Sequence, residues 1–445
     1  MSTTAATVVP VRRVGGGKER FGMRVVVVGG GIGGLALGAG LRRRGYEVAV
    51  FDRDTDVAHT GGYHITLDER AQSALRELVE PHLVRRLLAS ASALRHRDRD
   101  AFWDRRGRLL GFGPELGGGA GVDVDRITLR TLLAEAVGDD LHLGRTVSGV
   151  ERGGADRGGV DQGGLDRGGA GRGGDGAPRV LFADAAPVTA DLVVGADGTH
   201  SLVARHLAGG PVNSPAGIVG VSGRTARGDL SAGERRRLGL RSGLATGPRG
   251  SALYVGFLDP VGNAALDAPE LRMSRTTGPT YIWGAMVAEA AAACLRGLRG
   301  AELRDALPGL FRERGWAGHT LEVIARADPD SVAAYRFHAA STRAGDLAPW
   351  PAGRITALGD AVHATPPTAG MGAGAAIRDA AALLRHLGDA DAGEGGTALV
   401  EAVGRFEAGM RRRGSEVLTL GMRTVRLILA ADSPVDAAAE VGGLR

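Results

Sequence analysis

Cysteine is almost missing from this chain: Cys294 is the single one in 445 residues. An intrachain disulfide, a CxxC redox pair and a cysteine-built metal cluster are thereby excluded, and no metal site is expected. The scarcity fits a reducing cytoplasm, with Cys294 expected as a small packing residue of an alanine-rich helix. Aromatic residues are also few, at four Trp, five Tyr and nine Phe, which leaves little surface for stacking nucleic-acid bases. The formal charge of +5 is spread among interleaved acids, which argues against a nucleic-acid partner. No apolar run reaches the roughly 18–20 residues of a spanning helix, so no membrane partner is expected. The most apolar late segment, 417–431, is broken by Arg423 and Arg426. The beginning of the chain carries no apolar segment of the secretory kind.

Glycine, by contrast, is abundant, and its placement is not uniform. Residues 1–22 lack periodicity and read as a disordered leader, and 431–445 as a tail. Residues 151–178 repeat Arg-Gly-Gly and Asp with very little apolar content, which predicts a disordered loop. Four arginines there face five acids with no aromatic between them, so an expanded surface loop is favoured over an RNA-binding segment. Its flanks, 145–151 and 179–183, read as two strands of a hairpin. Continuous helix is expected over 67–88, a hairpin over 100–112, and helices over 125–137, 302–314 and 373–387.

Three motifs carry the chemistry. The first follows an apolar strand at 24–28: Gly29-Gly30-Gly31-Ile32-Gly33-Gly34, then a helix, then a second strand closed by Asp52. In such a βαβ unit Gly29 makes the tight turn, Gly31 lets the backbone approach a pyrophosphate and Gly34 lets helix and strand pack closely. A carboxylate 23 residues beyond Gly29 can accept from ribose hydroxyls. The second motif is the strand Asp191–Val194 running into Gly195-Ala196-Asp197-Gly198. The third is Ile355–Leu358 followed by Gly359-Asp360, a Pro366-Pro367 pair and Gly370-Met371-Gly372 at the start of a helix. Bare amides at a helix N-terminus beside one carboxylate suit a polyanionic ligand. The second and third motifs, each alone, could equally be acidic turns that cap a strand.

Taken in order, the three motifs resemble the group A FAD-dependent monooxygenases, the p-hydroxybenzoate-hydroxylase-like superfamily, over residues 23 to about 425. The segment Arg126-x-x-Leu129-x-x-x-Leu133 looks like that family's flavin-contacting arginine helix. The resemblance implies an α/β fold in which a Rossmann-like FAD-binding domain, 23–210 with 346–430, is interleaved with a mixed-sheet substrate domain, 211–345. Residues 66–125 would contribute partly to the substrate side, and helices would close the chain. It further implies that Gly29, Gly31 and Gly34 receive the FAD pyrophosphate and Asp52 the adenosine ribose. Arg126 and Asp360, with room made by Gly359, would serve the pyrophosphate and ribityl region. Pro366, Gly370, Met371 and Gly372 would line the isoalloxazine, and Asp197 and Gly198 would belong to a motif linked to FAD and to a transient NADPH or NADH. Two departures stand out: Gly374 where the family often has Asn, and Asp52 where Glu is commoner.

The implied reaction is hydroxylation of an aromatic or polyketide-like small molecule by O2 through a flavin C4a-hydroperoxide. Tyr254, Tyr281 and Trp283 could stack on the substrate, with core packing as the alternative for each. His64 is the one named base candidate, against a structural role, and His363 is expected to brace the loop. Related readings are a flavin oxidase or reductase, a Baeyer–Villiger enzyme, or a silent FAD-binding protein. Monomer and homodimer both stay open.

Overall fold

A computed structural model of the chain describes residues 22–59, 64–113, 119–153, 176–391 and 396–430. The expected leader up to residue 21, the core of the Gly-rich loop at 154–175 and the tail from 431 lie outside the described residues, as do Gly61, Gly62 and Tyr63.

The fold is α/β, and its frame is a five-stranded parallel sheet. The strands run in the order Ile355–Ala357, Leu192–Gly195, Arg24–Val28, Glu47–Phe51, Leu141–His142. Val25, Val26 and Val27 have no exposed surface, as a central parallel strand covered on both faces requires. The helix Ile32–Arg44 lies on this sheet almost wholly buried. Its small residues permit the approach: a Cβ on Gly38 would lie 2.6 Å from Val50 Cγ2, and one on Gly40 2.5 Å from Leu78 Cδ2. The helix Gly372–Asp391 packs on Ile32–Arg44, and the long Gly396–Ala430 helix packs on Gly372–Asp391. The two closing helices are therefore carried back to the first βαβ unit.

A second, mixed sheet has seven strands: Ala333–Ala340, Asn213–Ala226, Thr280–Ala288, Ser251–Leu258, Gly243–Gly247, Ala101–Asp104 and Leu109–Phe112. Ala101–Asp104 joins by parallel pairing to Gly243–Gly247 and makes a hairpin with Leu109–Phe112. A small sheet of His64–Leu67, Val122–Asp125 and Ala91–Ala93 lies in the segment between the two larger ones. The flanks of the Gly-rich segment do pair, Val147–Glu151 antiparallel to Arg179–Phe182.

Two local expectations change. Residues 67–88 are not one helix: Leu67 ends a strand, Asp68 caps Glu69–Leu78 by accepting from Ala71 N, and Pro81 opens Pro81–Ala89. Proline cannot continue the first helix but suits the first turn of the next. Cys294 is exposed, in a one-turn 3-10 helix, Ala293–Leu295. The alanine-rich stretch there makes two such turns in place of a helix, and its buried contacts come from Ala292 and Leu295.

Candidate active site

Parallel pairing brings the three motifs together. Val28 pairs with Gly195, and Gly195 with Ala357. The chain therefore leaves three adjacent strands at the same carboxyl edge, through Gly29, Ala196 and Leu358, where open α/β sheets bind their ligands. The turns touch: a Cβ on Gly29 would lie 2.3 Å from the Ala196 carbonyl oxygen, and one on Gly33 2.9 Å from Leu358 Cδ1.

Within the first loop the glycines differ in what demands them. Gly29 has φ +107° and donates its N–H to the Phe51 carbonyl at 2.8 Å. A Cβ on Gly34 would stand 2.0 Å from the Gly29 carbonyl oxygen, so helix packing forbids it. Gly31 is different: a Cβ there would meet nothing nearer than the Ala196 carbonyl oxygen at 3.9 Å. Asp52 accepts from the Gly30 and Asp54 amides at 2.5 and 2.8 Å. Arg130 locks this corner. Its Nε donates to the Gly30 carbonyl at 3.0 Å, and both terminal nitrogens reach Asp54 Oδ2 at 3.1 Å. Arg130, one turn beyond Arg126 and buried, is a residue of this corner that the three motifs do not include. An arginine inside the apolar stripe Ile127, Leu129, Leu133 was the available signal.

Asp197 turns inward to its own segment. Its carboxylate accepts from Ser201 Oγ at 2.5 Å, Leu202 N at 2.7 Å and Val203 N at 3.2 Å, at the head of the short helix Leu202–Ala208. Burial raises its pKa, and these donors oppose the shift. Gly198 follows with φ +74°.

The late motif forms one wall of a cleft of about 590 Å³. Asp360, Arg126, Gly370, Met371 and Gly372 line it together with His64. The Asp360 side chain is exposed to the cleft. Burial raises its pKa, while His363 and Arg126 pull it down. Pro367 lines the cleft, whereas Pro366 is buried, its carbonyl oxygen facing Gly421 of the last helix. Gly359 is buried too. It takes φ +61°, and its N–H lies 3.3 Å from Asp379 Oδ2. His363 braces the loop from below, its Nε2 2.6 Å from Asp379 Oδ2. Gly374 faces Ala71, where a Cβ would sit at an ordinary 3.4 Å, so protein packing does not require glycine there.

The mixed sheet supplies the opposing wall through Leu244, Tyr254, Gly284, Met286, Tyr335 and Phe337. Tyr254 and Gly284 are direct cross-strand partners. Strand alternation sends the two other predicted aromatics the opposite way. Tyr281 and Trp283 have no exposed surface and pack with Val221, Leu253 and Phe311 in the core behind the sheet. Tyr281 donates to the Gly239 carbonyl, and Trp283 Nε1 to Thr225 Oγ1 at 3.2 Å. Both are corrected to core residues. Facing direction depends on register, which apolar runs on a sheet buried on both faces do not disclose.

Two family models match this chain: an FAD binding domain over residues 318–408 and an NAD(P)-binding Rossmann-like domain over 27–71. Aurachin C monooxygenase/isomerase of Stigmatella aurantiaca is 29% identical over 377 residues, covering 83% of this chain and 81% of that protein. The chain belongs to the FAD-dependent monooxygenases. The FAD-dependent urate hydroxylase of Mycolicibacterium vanbaalenii is 27% identical over 369 residues, 81% of this monooxygenase and 78% of that one. A crystal structure of an FAD-containing monooxygenase from Photorhabdus luminescens shares the fold. Its TM-score is 0.71 at 20% identity, with 92% of this chain and 100% of that chain covered.

FAD is the family's cofactor, and the bare surfaces of this monooxygenase fit it. Gly31, Gly370 and Gly372 all leave space that no protein atom uses: a Cβ would meet nothing within 4 Å at Gly370, and only Asp360 Oδ1 at 3.8 Å at Gly372. Glycines kept open at two points along one sheet edge make room for a long ligand lying close to the backbone.

Proposed function

We propose that this monooxygenase consumes NAD(P)H and O2 to hydroxylate an aromatic or polyketide-like small molecule in the 590 Å³ cleft. The observation that carries the reading is the facing of the Asp360 and Gly370–Gly372 wall by an apolar, aromatic sheet wall within one cavity. Pockets of this size and character suit one flat ligand beside a reactive ring.

The Gly29–Gly34 loop would hold the pyrophosphate of FAD, with Gly31 giving the close approach and Gly29 and Gly34 shaping the turn, and Asp52 would reach the adenosine ribose through the lone pairs left free by Gly30 and Asp54. Arg126 and Asp360 would hold the middle of the cofactor, and the amides of Gly370 to Gly372 would be available to its flavin end. Asp197 and Gly198 act by fixing the turn against which Gly29 packs. The chemistry that FAD would supply when bound is acceptance of hydride from NAD(P)H and activation of O2. The protein orients the substrate on the sheet wall and excludes water with Met286, Phe337 and Leu427.

The test uses purified protein loaded with FAD and a panel of aromatic compounds. Substrate-stimulated oxidation of NADPH or NADH, with one labelled oxygen atom from ¹⁸O2 in the product, is the expected result. Firm FAD binding without stimulated turnover on any compound would instead mark a silent flavin-binding protein. Oxygen inserted beside a carbonyl would mark a Baeyer–Villiger enzyme.

A further inference from the structure

On the sheet side of the cleft sits a polar group of residues that the fingerprint motifs do not account for. Asp123, buried, accepts from Arg97 Nη1 at 2.7 Å and Thr66 Oγ1 at 2.6 Å. Arg97 also donates to Ser242 Oγ at 2.7 Å and to the Phe257 carbonyl at 3.1 Å. It does not line the cleft, so although its Nε has no partner among the described residues, its charge is directed into the protein. His64 and Asp100 do line the cleft. The His64 side chain is 8% exposed and stacks on Tyr254 with ring centroids 6.1 Å apart. Its Nε2 lies 3.8 Å from Asp123 Oδ2, which favours the proton on that nitrogen and leaves Nδ1 a bare acceptor. Among the described residues neither His64 Nδ1 nor Asp100 Oδ1 has a hydrogen-bond partner. Asp100 Oδ1 is 4.0 Å from Arg97 Nη2, too far for a hydrogen bond.

Buried polar atoms without partners are costly, and native proteins keep few of them. Two on the wall of one cleft point to a ligand that completes them. We infer that His64 and Asp100 form a recognition pole that takes a neutral hydrogen-bond donor, an O–H or N–H, on the substrate, and that disfavours a carboxylate. The inference rests on the proposed function, since it assigns the substrate's polar group within the same cleft. Burial lowers the pKa of His64 despite the pull of Asp123, so the ring presents a lone pair and no charge. Burial likewise raises Asp100. With Arg97 held by Asp123, Ser242 and the Phe257 carbonyl, a substrate carboxylate at this pole would meet two acids.

The test is calorimetric titration of the FAD-loaded protein with 2-naphthol, 2-methoxynaphthalene and 2-naphthoate. The naphthol should bind at least tenfold more tightly than the other two. His64→Leu and Asp100→Leu should each shrink the preference for naphthol over its methyl ether toward one, while Asp100→Asn, which keeps an acceptor, should retain much of it. Thermal unfolding checks that each variant folds. Equal binding of all three compounds, binding of none, or a preference that survives both leucine variants overturns the pole and leaves the monooxygenase reading intact. Protein that takes up no FAD overturns that reading. Because heat is the readout, the three ligands still report on the pole in that case.

Discussion

His363 and Asp379 meet with no solvent-exposed surface on either side chain, Nε2 to Oδ2 at 2.6 Å, behind the turn that opens at Gly359. Arg413, on the last helix, holds the other carboxylate oxygen at 2.9–3.0 Å. The Gly372–Asp391 and Gly396–Ala430 helices are thus pinned to the turn that carries Asp360. Burial alone would lower His363, but the charge and hydrogen bond of Asp379 outweigh it and raise its pKa. Burial alone would raise Asp379, and His363 with Arg413 bring it down. His363 therefore contributes stability that is complete below its ordinary value of 6.5 and is lost as pH rises through the folded value above it. Asp379 contributes stability present above 3.8 and lost as pH falls through its lower folded value. His363→Ala should cost about 3 kcal/mol, as breaking a buried pair does. His363→Gln should flatten the fall of Tm above pH 6.5. Urea and thermal unfolding across pH 4–10 measure both; an unchanged alkaline limb in the glutamine variant would count against the assignment.

Asp360→Ala should weaken FAD binding by about 1–3 kcal/mol, the range for a lost charge-assisted hydrogen bond. Its carboxyl opens onto the cleft and holds no packing together, so Tm of the apoprotein should stay close to wild type. Fluorescence titration with FAD gives the affinity, and an unaltered Kd would mean that the carboxylate is misassigned.

Gly31 and Gly34 make a matched pair. Gly34→Ala forces a methyl against the Gly29 carbonyl and should destabilise the fold by about 3 kcal/mol, in the upper range for overpacking. Gly31→Ala adds a methyl with no protein atom within 3.9 Å and should cost less than about 1 kcal/mol of stability. FAD affinity should nonetheless fall about tenfold or more, some 1.4 kcal/mol. Unfolding curves and FAD titrations of both variants separate packing from ligand approach.

Arg130→Met should cost about 1.5–3 kcal/mol in stability, the value of hydrogen bonds to a charged group, and should lower FAD affinity by loosening Gly30. Arg130→Lys should rescue little, because one ammonium cannot serve Gly30 and Asp54 with the geometry of a guanidinium fork. Equal behaviour of the lysine variant and wild type would show that only charge is needed.

The Gly-rich segment is expected to be dispensable. Gly153 and Gly176 approach closely, a Cβ on the former lying 2.0 Å from the latter's carbonyl carbon. Joining them by a short Asn-Gly turn in place of 154–175 should preserve the 147–151 and 179–182 pairing. Tm and substrate-stimulated NAD(P)H oxidation should both be retained; loss of either would reveal a role for the segment.

Local chemistry was enough to place the frame. Consecutive valines at 25–28, the Gly29–Gly34 spacing, Asp52 at a strand end and Gly359-Asp360 before a helix are each specified by neighbours a few residues away. They therefore read correctly from sequence, as did the hairpin flanking the Gly-rich segment. What the tertiary structure decided is everything that depends on facing. Sheet register turned Tyr281 and Trp283 into the core while leaving Tyr254 on the cleft. Helix rotation put Arg130 against Gly30 and Arg126 on the cleft wall. Parallel pairing of three strands far apart in the chain set the three motifs side by side, and the mixed sheet brought Asp100 to the cleft with His64. The physical reason is the same throughout: backbone periodicity and turn chemistry act over a few residues, whereas the direction of a side chain is settled only when distant elements close over it.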